Sequence, residues 1–222
     1  LSVGNVAGAA NFVIDTAVSG SSTDTTVTLV GVTDGSTVTF GGATAVNNDD
    51  TDNGTIDTVN GASINIVLNE DQATANANNG ALTITDAVGV SVSQGTRAAS
   101  IFTGALTLDA ADTTSFSLTG ANSLAVTMGA VNGTAVLETF SLTSAASSAV
   151  VVGALATATA LTTLNLTGTT GDVTMTTLGG AGAASADLLA NVNATATGGS
   201  TIAVGDLLAD DATTAAGENA MT

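Results

Sequence analysis

Phe116, Phe140 and Leu164 stand 24 residues apart, and Leu118, Leu142 and Leu166 repeat the same step two positions later. Thr119, Thr143 and Thr167 follow in register. The runs FSLTG (116–120), LETFSLT (137–143) and LTTLNLTG (161–168) are therefore copies of one pattern, within a stretch from Gly104 to about Leu178. A second set of runs lies between them: SLAVTM (123–128), AVVVGA (149–154) and DVTMTTL (172–178). Met128-Gly129-Ala130 and Val152-Gly153-Ala154 again differ by 24. Each run alternates apolar and polar residues, as a half-buried strand does. A fixed period with two short strands per unit implies stacked coils, each burying its face against the next.

What packs inside such coils has to be small. Of the 222 residues 44% are hydrophobic, but only 2% are aromatic, and all five aromatics are Phe. Gly, Ala, Ser and Thr dominate instead, which favours thin layers over a thick globular interior. The expected fold is all-β: an elongated β-solenoid-like or stacked-sheet body with short helical turns. A β-sandwich with matched loop lengths is the alternative, because it would produce the same spacing.

Charge narrows the function classes. Nineteen acidic residues face one basic residue, Arg97, for a formal charge of −18. No basic patch can form, so nucleic acid is excluded as a partner, and attraction to anionic lipid with it. A polyanion of this kind repels itself unless salt screens it or bound cations neutralise it. Hard cations held by carboxylates and carbonyl oxygens do so stoichiometrically.

The missing residue types matter as much. The chain has no Cys, His, Pro, Trp or Tyr. Disulfides and thiolate metal sites are impossible, and the commonest general base and transition-metal ligand is gone. A Ser or Thr nucleophile would lack an oriented base. Paired carboxylates for glycoside chemistry would have to come from three Glu and sixteen Asp with no Trp or Tyr platform for a sugar ring. Gly180-x-Gly182-x-x-Ser185 lacks the third glycine and the lysine of a phosphate loop. Four Asn-x-Thr sequons, at Asn53, Asn132, Asn165 and Asn193, are expected by chance in this composition. An enzyme is not expected.

Along the chain, residues 1–24 read as an edge strand or entry segment, with an apolar run at Phe12-Val13-Ile14. Thr25 to Phe40 reads as a hairpin about Asp34-Gly35. Residues 45–62 read as a loop rich in Asp and Asn: a solvated surface loop, or a calcium loop built on Asp49, Asp50, Asp52 and Asp57. SINIVL (63–68) and ALTITDAVGVSVS (81–93) are strands, with Asp86 where one strand should end. Between them Asn69, Glu70 and Asp71 open a helix-compatible stretch or a loop. IFTGALTLD (101–109) begins the periodic array, and Asp109 and Asp112 follow in its turn. After the Gly-rich break at 179–182, residues 185–192 suit a short helix, TIAVG (201–205) a strand, and 206–222 a further short helix and polar tail. The chain divides into 1–100, with the Asp/Asn loop, 101–180, with the repeat, and 181–222, rich in Gly and Ala. No linker separates these parts, so one continuous body is expected. No run of 18 apolar residues spans a membrane.

Cation binding is the chemistry that remains. The candidate ligands are Asp49, Asp50, Asp52, Asp57, Asp71, Asp109, Asp112 and Asp172. Lesser clusters stand at Asp187 and at Asp206, Asp210 and Asp211. Carboxylates at strand ends are favoured, because turn carbonyls there are free to complete a calcium shell.

The phrase ALTTLNLTGTTGDVTM, with TSFSLTG and LETFSLTS, resembles bacterial surface-layer proteins of the acidic, cysteine-free, Thr/Ala/Gly/Val-rich kind that coats Gram-negative cells. The likeness covers residues 100–180 by motif and the whole chain by composition. It implies a β-rich body with solenoid-like segments, many bound Ca2+ ions, export by a type I route and assembly into a planar lattice. It also implies ligands in Asp-rich turns, here Asp109, Asp112 and Asp172. The GGxGxDxUx nonapeptide of calcium β-rolls is absent. The chain is also short for that family, which points to a segment of a larger subunit. The expected role is thus a structural subunit or segment of an extracellular, calcium-stabilised surface layer, partnered by copies of itself and by cell-surface polysaccharide. The rivals are an adhesin or extracellular filament subunit, and a β-helical carbohydrate-active module.

Overall fold

The computed structural model describes residues 2–4, 8–14, 26–40, 54–69, 81–95, 100–102, 105–121, 125–146, 149–155, 158–178 and 188–207. They form a single parallel β-solenoid of 17 strands. Every strand pairing is parallel. That excludes the sandwich, whose neighbouring strands would be antiparallel.

Each coil has up to three strand segments, and the segments stack into three sides. The first side carries β7 (Ser100–Phe102), β10 (Val126–Met128) and the opening halves of β13 (Val150–Leu155), β15 (Val173–Leu178) and β17 (Ile202–Leu207). The second carries β1 (Ser2–Gly4), β3 (Val27–Val32), β8 (Leu106–Thr107), β11 (Val131–Asn132) and the closing halves of β13, β15 and β17. The third carries β2 (Asn11–Ile14), β4 (Thr37–Phe40), β9 (Ser115–Gly120), β12 (Thr139–Ser144), β14 (Thr163–Gly168) and β16 (Asn191–Ala196). Two long strands, β5 (Gly54–Leu68) and β6 (Leu82–Gln94), bend around the corner and serve both the second and third sides.

The 24-residue period is the coil. Phe116 pairs with Phe140 and Phe140 with Leu164, and Leu118, Leu142 and Leu166 do the same. Their side chains point inward and are buried, so each coil drops an apolar residue onto its equivalent in the next. Val38, Ile66, Val92, Leu118, Leu142 and Leu166 make one such column, all at most 2% exposed. Phe116 and Phe140 stack with ring centroids 5.2 Å apart, a separation typical of favourable aromatic pairs. Between these columns the alternate residues point outward and are mostly Ser, Thr and Asn.

Several local expectations change. Val27–Val32 and Thr37–Phe40 do not form a hairpin: the first pairs with β1 and β5, the second with β2 and β5. The turn at Asp34-Gly35 is present, with Gly35 at φ 75°, but it makes a coil corner. Its chemistry permits a sharp turn and leaves open which strands then pair. Of the loop expected over 45–62, residues 54–62 lie in β5. Their Asn and Asp side chains point outward or stand at the bend while Ile56 and Ala62 fill the core. Residues 45–53 lie outside the described residues, as do 71–79. Of the helix expected over 185–192, the described part is a turn at Leu188 followed by the start of β16. Asp206 falls in β17, and 208–222 lie outside the described residues. Among the described residues there is no helix. None is therefore long and apolar enough to cross a membrane.

Candidate metal centre

Where β6 turns from the second side to the third, Asp86 takes φ 61°, a left-handed conformation that Asp tolerates better than bulkier residues. One coil later the chain turns again at 109–112. Stacking brings the two corners together, and carboxylate oxygens of Asp86, Asp109 and Asp112 lie within 4.8 Å of one another. All three are half-buried.

Backbone donors hold the centre in shape. The Asp86 N–H donates to Asp109 Oδ2 at 3.1 Å, and the Ala111 N–H donates to Asp109 Oδ1 at 2.8 Å. The Thr113 N–H closes the turn onto the Asp109 carbonyl at 3.0 Å. The fully buried Thr113 hydroxyl donates to the Ala87 carbonyl at 2.8 Å, tying this corner to the one below it. The N–H groups of Ala111, Asp86 and Asp112 keep the Asp109 carboxyl below the usual aspartate range, against an opposing push from desolvation. Asp86 is displaced the other way. Partial withdrawal from water raises it, and so do the carboxylates of Asp57, Asp109 and Asp112 and a side-chain hydrogen bond with Asp57. Asp57, one coil earlier, accepts from the Thr85 hydroxyl at 2.9 Å. The corner is thus a short acidic column running across three coils.

Such a column is held together against its own repulsion. Protonation of Asp86, which the neighbouring carboxylates favour, would relieve part of it. A divalent cation would relieve more, because three convergent carboxylates are the hard oxygen donors that calcium takes, with carbonyls and water completing six to eight ligands. The donor set suits a hard cation and, without Cys or His, does not suit a soft one.

The expected ligands fare differently. Asp109 and Asp112 come together, with Asp86 as a third partner that the sequence reading had placed only at a strand end. Its 23-residue separation from Asp109, close to one coil, was the available signal. Asp57 lies in strand β5, not in a loop, next to Asp86. Asp172 stands apart from this cluster: it is exposed, and its Oδ1 accepts the Thr201 N–H at 2.7 Å. Asp34 does the same for Ser63 N–H at 2.8 Å, so both brace a corner to the following coil. Asp49, Asp50, Asp52 and Asp71 lie outside the described residues, as do Asp187, Asp210 and Asp211.

Comparison with known proteins gives no matching family model, no matching curated protein and no matching solved structure.

Proposed function

We propose that this chain is a structural subunit, or a segment of one, in an extracellular surface layer that calcium stabilises and that assembles from copies of the chain. The observation carrying this reading is the three-aspartate corner stacked into a regular solenoid of a chain with a formal charge of −18. A repetitive rod of small side chains supplies stiffness and repeated surfaces, the properties of a building block. Cations at the acidic corner lower the self-repulsion of the rod and brace neighbouring coils. The role is mechanical, and the carboxylates act as ligands instead of acids or bases. Copies of the chain are the principal partner, with cell-surface polysaccharide as the anchor that the likeness to surface-layer proteins implies.

The test is assembly after chelation. EDTA-treated protein is imaged by negative stain before and after calcium is restored. Planar sheets that appear only with calcium are the expected result. Fibres would favour the filament subunit, and dispersed single particles under both conditions would sink the layer reading. A Asp109→Asn/Asp112→Asn variant should need more calcium for the same sheets.

A further inference from the structure

Among the described residues, the third side of the solenoid carries no charge at its outward positions. From β5 to β16, one outward column runs from Asn65 through Ser117 and Ser141 to Asn193. Two residues further along the strands, another runs from Val67 through Thr119 and Thr143 to Thr195. Pairing from β9 to β16 is unbroken, six residues deep in every strand. The described acidic residues stand elsewhere: at corners, as Asp34, Asp86, Asp109, Asp112, Glu138 and Asp172 do, or on the second side, as Asp57 and Asp206 do. In a chain with nineteen acidic residues and one basic residue, two copies can approach on this side without opposing carboxylates. The first side is likewise free of described acidic residues, but its strands pair over only three residues against six here.

Side chains on this face are also fixed in advance. Asn165 Nδ2 donates to Ser141 Oγ at 3.0 Å, and Asn193 Nδ2 donates to Asn165 Oδ1 at 2.8 Å. Parallel in-register strands with amide ladders and small side chains are the arrangement by which paired sheets interdigitate and exclude water. The size is sufficient. Six strands spaced about 4.8 Å, each of six residues rising about 3.3 Å, present roughly 570 Å² per copy, so a pair exceeds the roughly 1,000 Å² of a specific interface.

We infer that the third side is a homotypic interface, on which a second copy of this chain seats face to face about a two-fold axis. This deepens the building-block reading by naming the face at which copies meet, and it does not require the calcium corner.

Sedimentation velocity in EDTA and moderate salt tests it on the full chain. The wild type is expected to dimerise. Ser141→Glu, at the centre of the face, should weaken the dimer at least about tenfold, the equivalent of about 1.4 kcal/mol. Thr174→Glu, outward on the first side, should leave it unchanged. Far-UV circular dichroism checks that both variants fold. Ser141→Cys gives a second readout in a chain with no other cysteine: mild oxidation should trap a disulfide-linked dimer. A wild type that stays monomeric, or equal weakening by both Glu variants, overturns the interface. So does a monomer that co-sediments with microcrystalline cellulose and is released by Ser141→Glu, which would assign the face to a neutral polysaccharide. Monomers in EDTA that still form calcium-dependent sheets would refute this face and spare the layer. Dimers without any sheets would do the reverse.

Discussion

The coils from β9 to β15 and those from β3 to β6 are built to one plan and executed differently. In the later coils, equivalent residues on the third side are 24 apart and the pairing holds for six residues without a shift. In the earlier ones, the separation of paired residues varies from 25 at Ala62 and Ala87 to 28 at Gly54 and Leu82, and the register slips near Val30 and again between Asp57 and Ser63. The slips fall at or just before the corners. A coil of fixed length repeats its corner identically, so every side chain lands on its counterpart. A coil of varying length must absorb the surplus somewhere, and corners do this without disturbing the columns inside. The acidic column of Asp57, Asp86 and Asp109 sits where the irregular coils hand over to the regular ones. A cation bound there would brace the junction between the two kinds of coil.

The sharpest way to test this contrast is to remove core volume in the regular part. Phe140 is fully buried and stacked on Phe116, so Phe140→Ala should cost about 3–5 kcal/mol in urea unfolding. Phe12→Ala, in the half-buried edge strand β2, should cost clearly less. Equal losses would mean that the regular coils are no better packed than the end.

Gly133 is the next lever. It has φ 71° and a Cβ there would stand 1.9 Å from the Leu108 carbonyl oxygen. Gly133→Ala should therefore destabilise by more than about 1 kcal/mol, read as a lowered melting temperature. Gly61 also has positive φ but opens onto free space at an irregular corner, so the Ala variant there should cost less than at Gly133.

Asn165→Ala breaks two side-chain links of the ladder. The expected loss is smaller, about 0.5–1.5 kcal/mol per hydrogen bond at most, with no change in coil register by hydrogen exchange.

The smallest expected effect is at the handover. Asp86 has a raised value in the folded chain, so its ionised form opposes folding once pH passes the ordinary aspartate range, and the penalty fades as pH falls. Asp86→Asn keeps the left-handed backbone, which Asn also tolerates, and should raise the melting temperature of EDTA-treated protein at neutral pH but not in acid. Asp109 has the opposite sign. Its lowered value stabilises the fold above the ordinary range and is lost as pH falls through the folded value, so Asp109→Asn should destabilise at neutral pH. Thermal melts across pH check both. Calcium should reverse the ranking, stabilising the wild type more than Asp86→Asn.

Much of the regular part was legible in the sequence because stacking repeats one environment. Phe116, Phe140 and Leu164 meet the same neighbours, so selection for a buried apolar residue recurs at one spacing. The hairpin at Asp34-Gly35 was misread because turn chemistry reports a sharp bend, not the direction of the strand after it. Gly54 to Ala62 was misread because its polar residues face outward or stand at a bend, and such a run resembles a loop when its pairing is unknown. Asp86 was not grouped with Asp109 and Asp112, since only coil stacking joins them.

By itself, the sequence determined that this chain is a polyanion of small residues whose alternation and period demand thin, stacked strands. Those are properties of each residue's own chemistry and of its spacing along the chain. Only the tertiary structure decided that the stack is parallel, that corners twenty-odd residues apart converge three carboxylates, and that the described acidic residues keep off the broad third side. Such relations hold between residues distant along the chain, and backbone pairing sets them from one coil to the next.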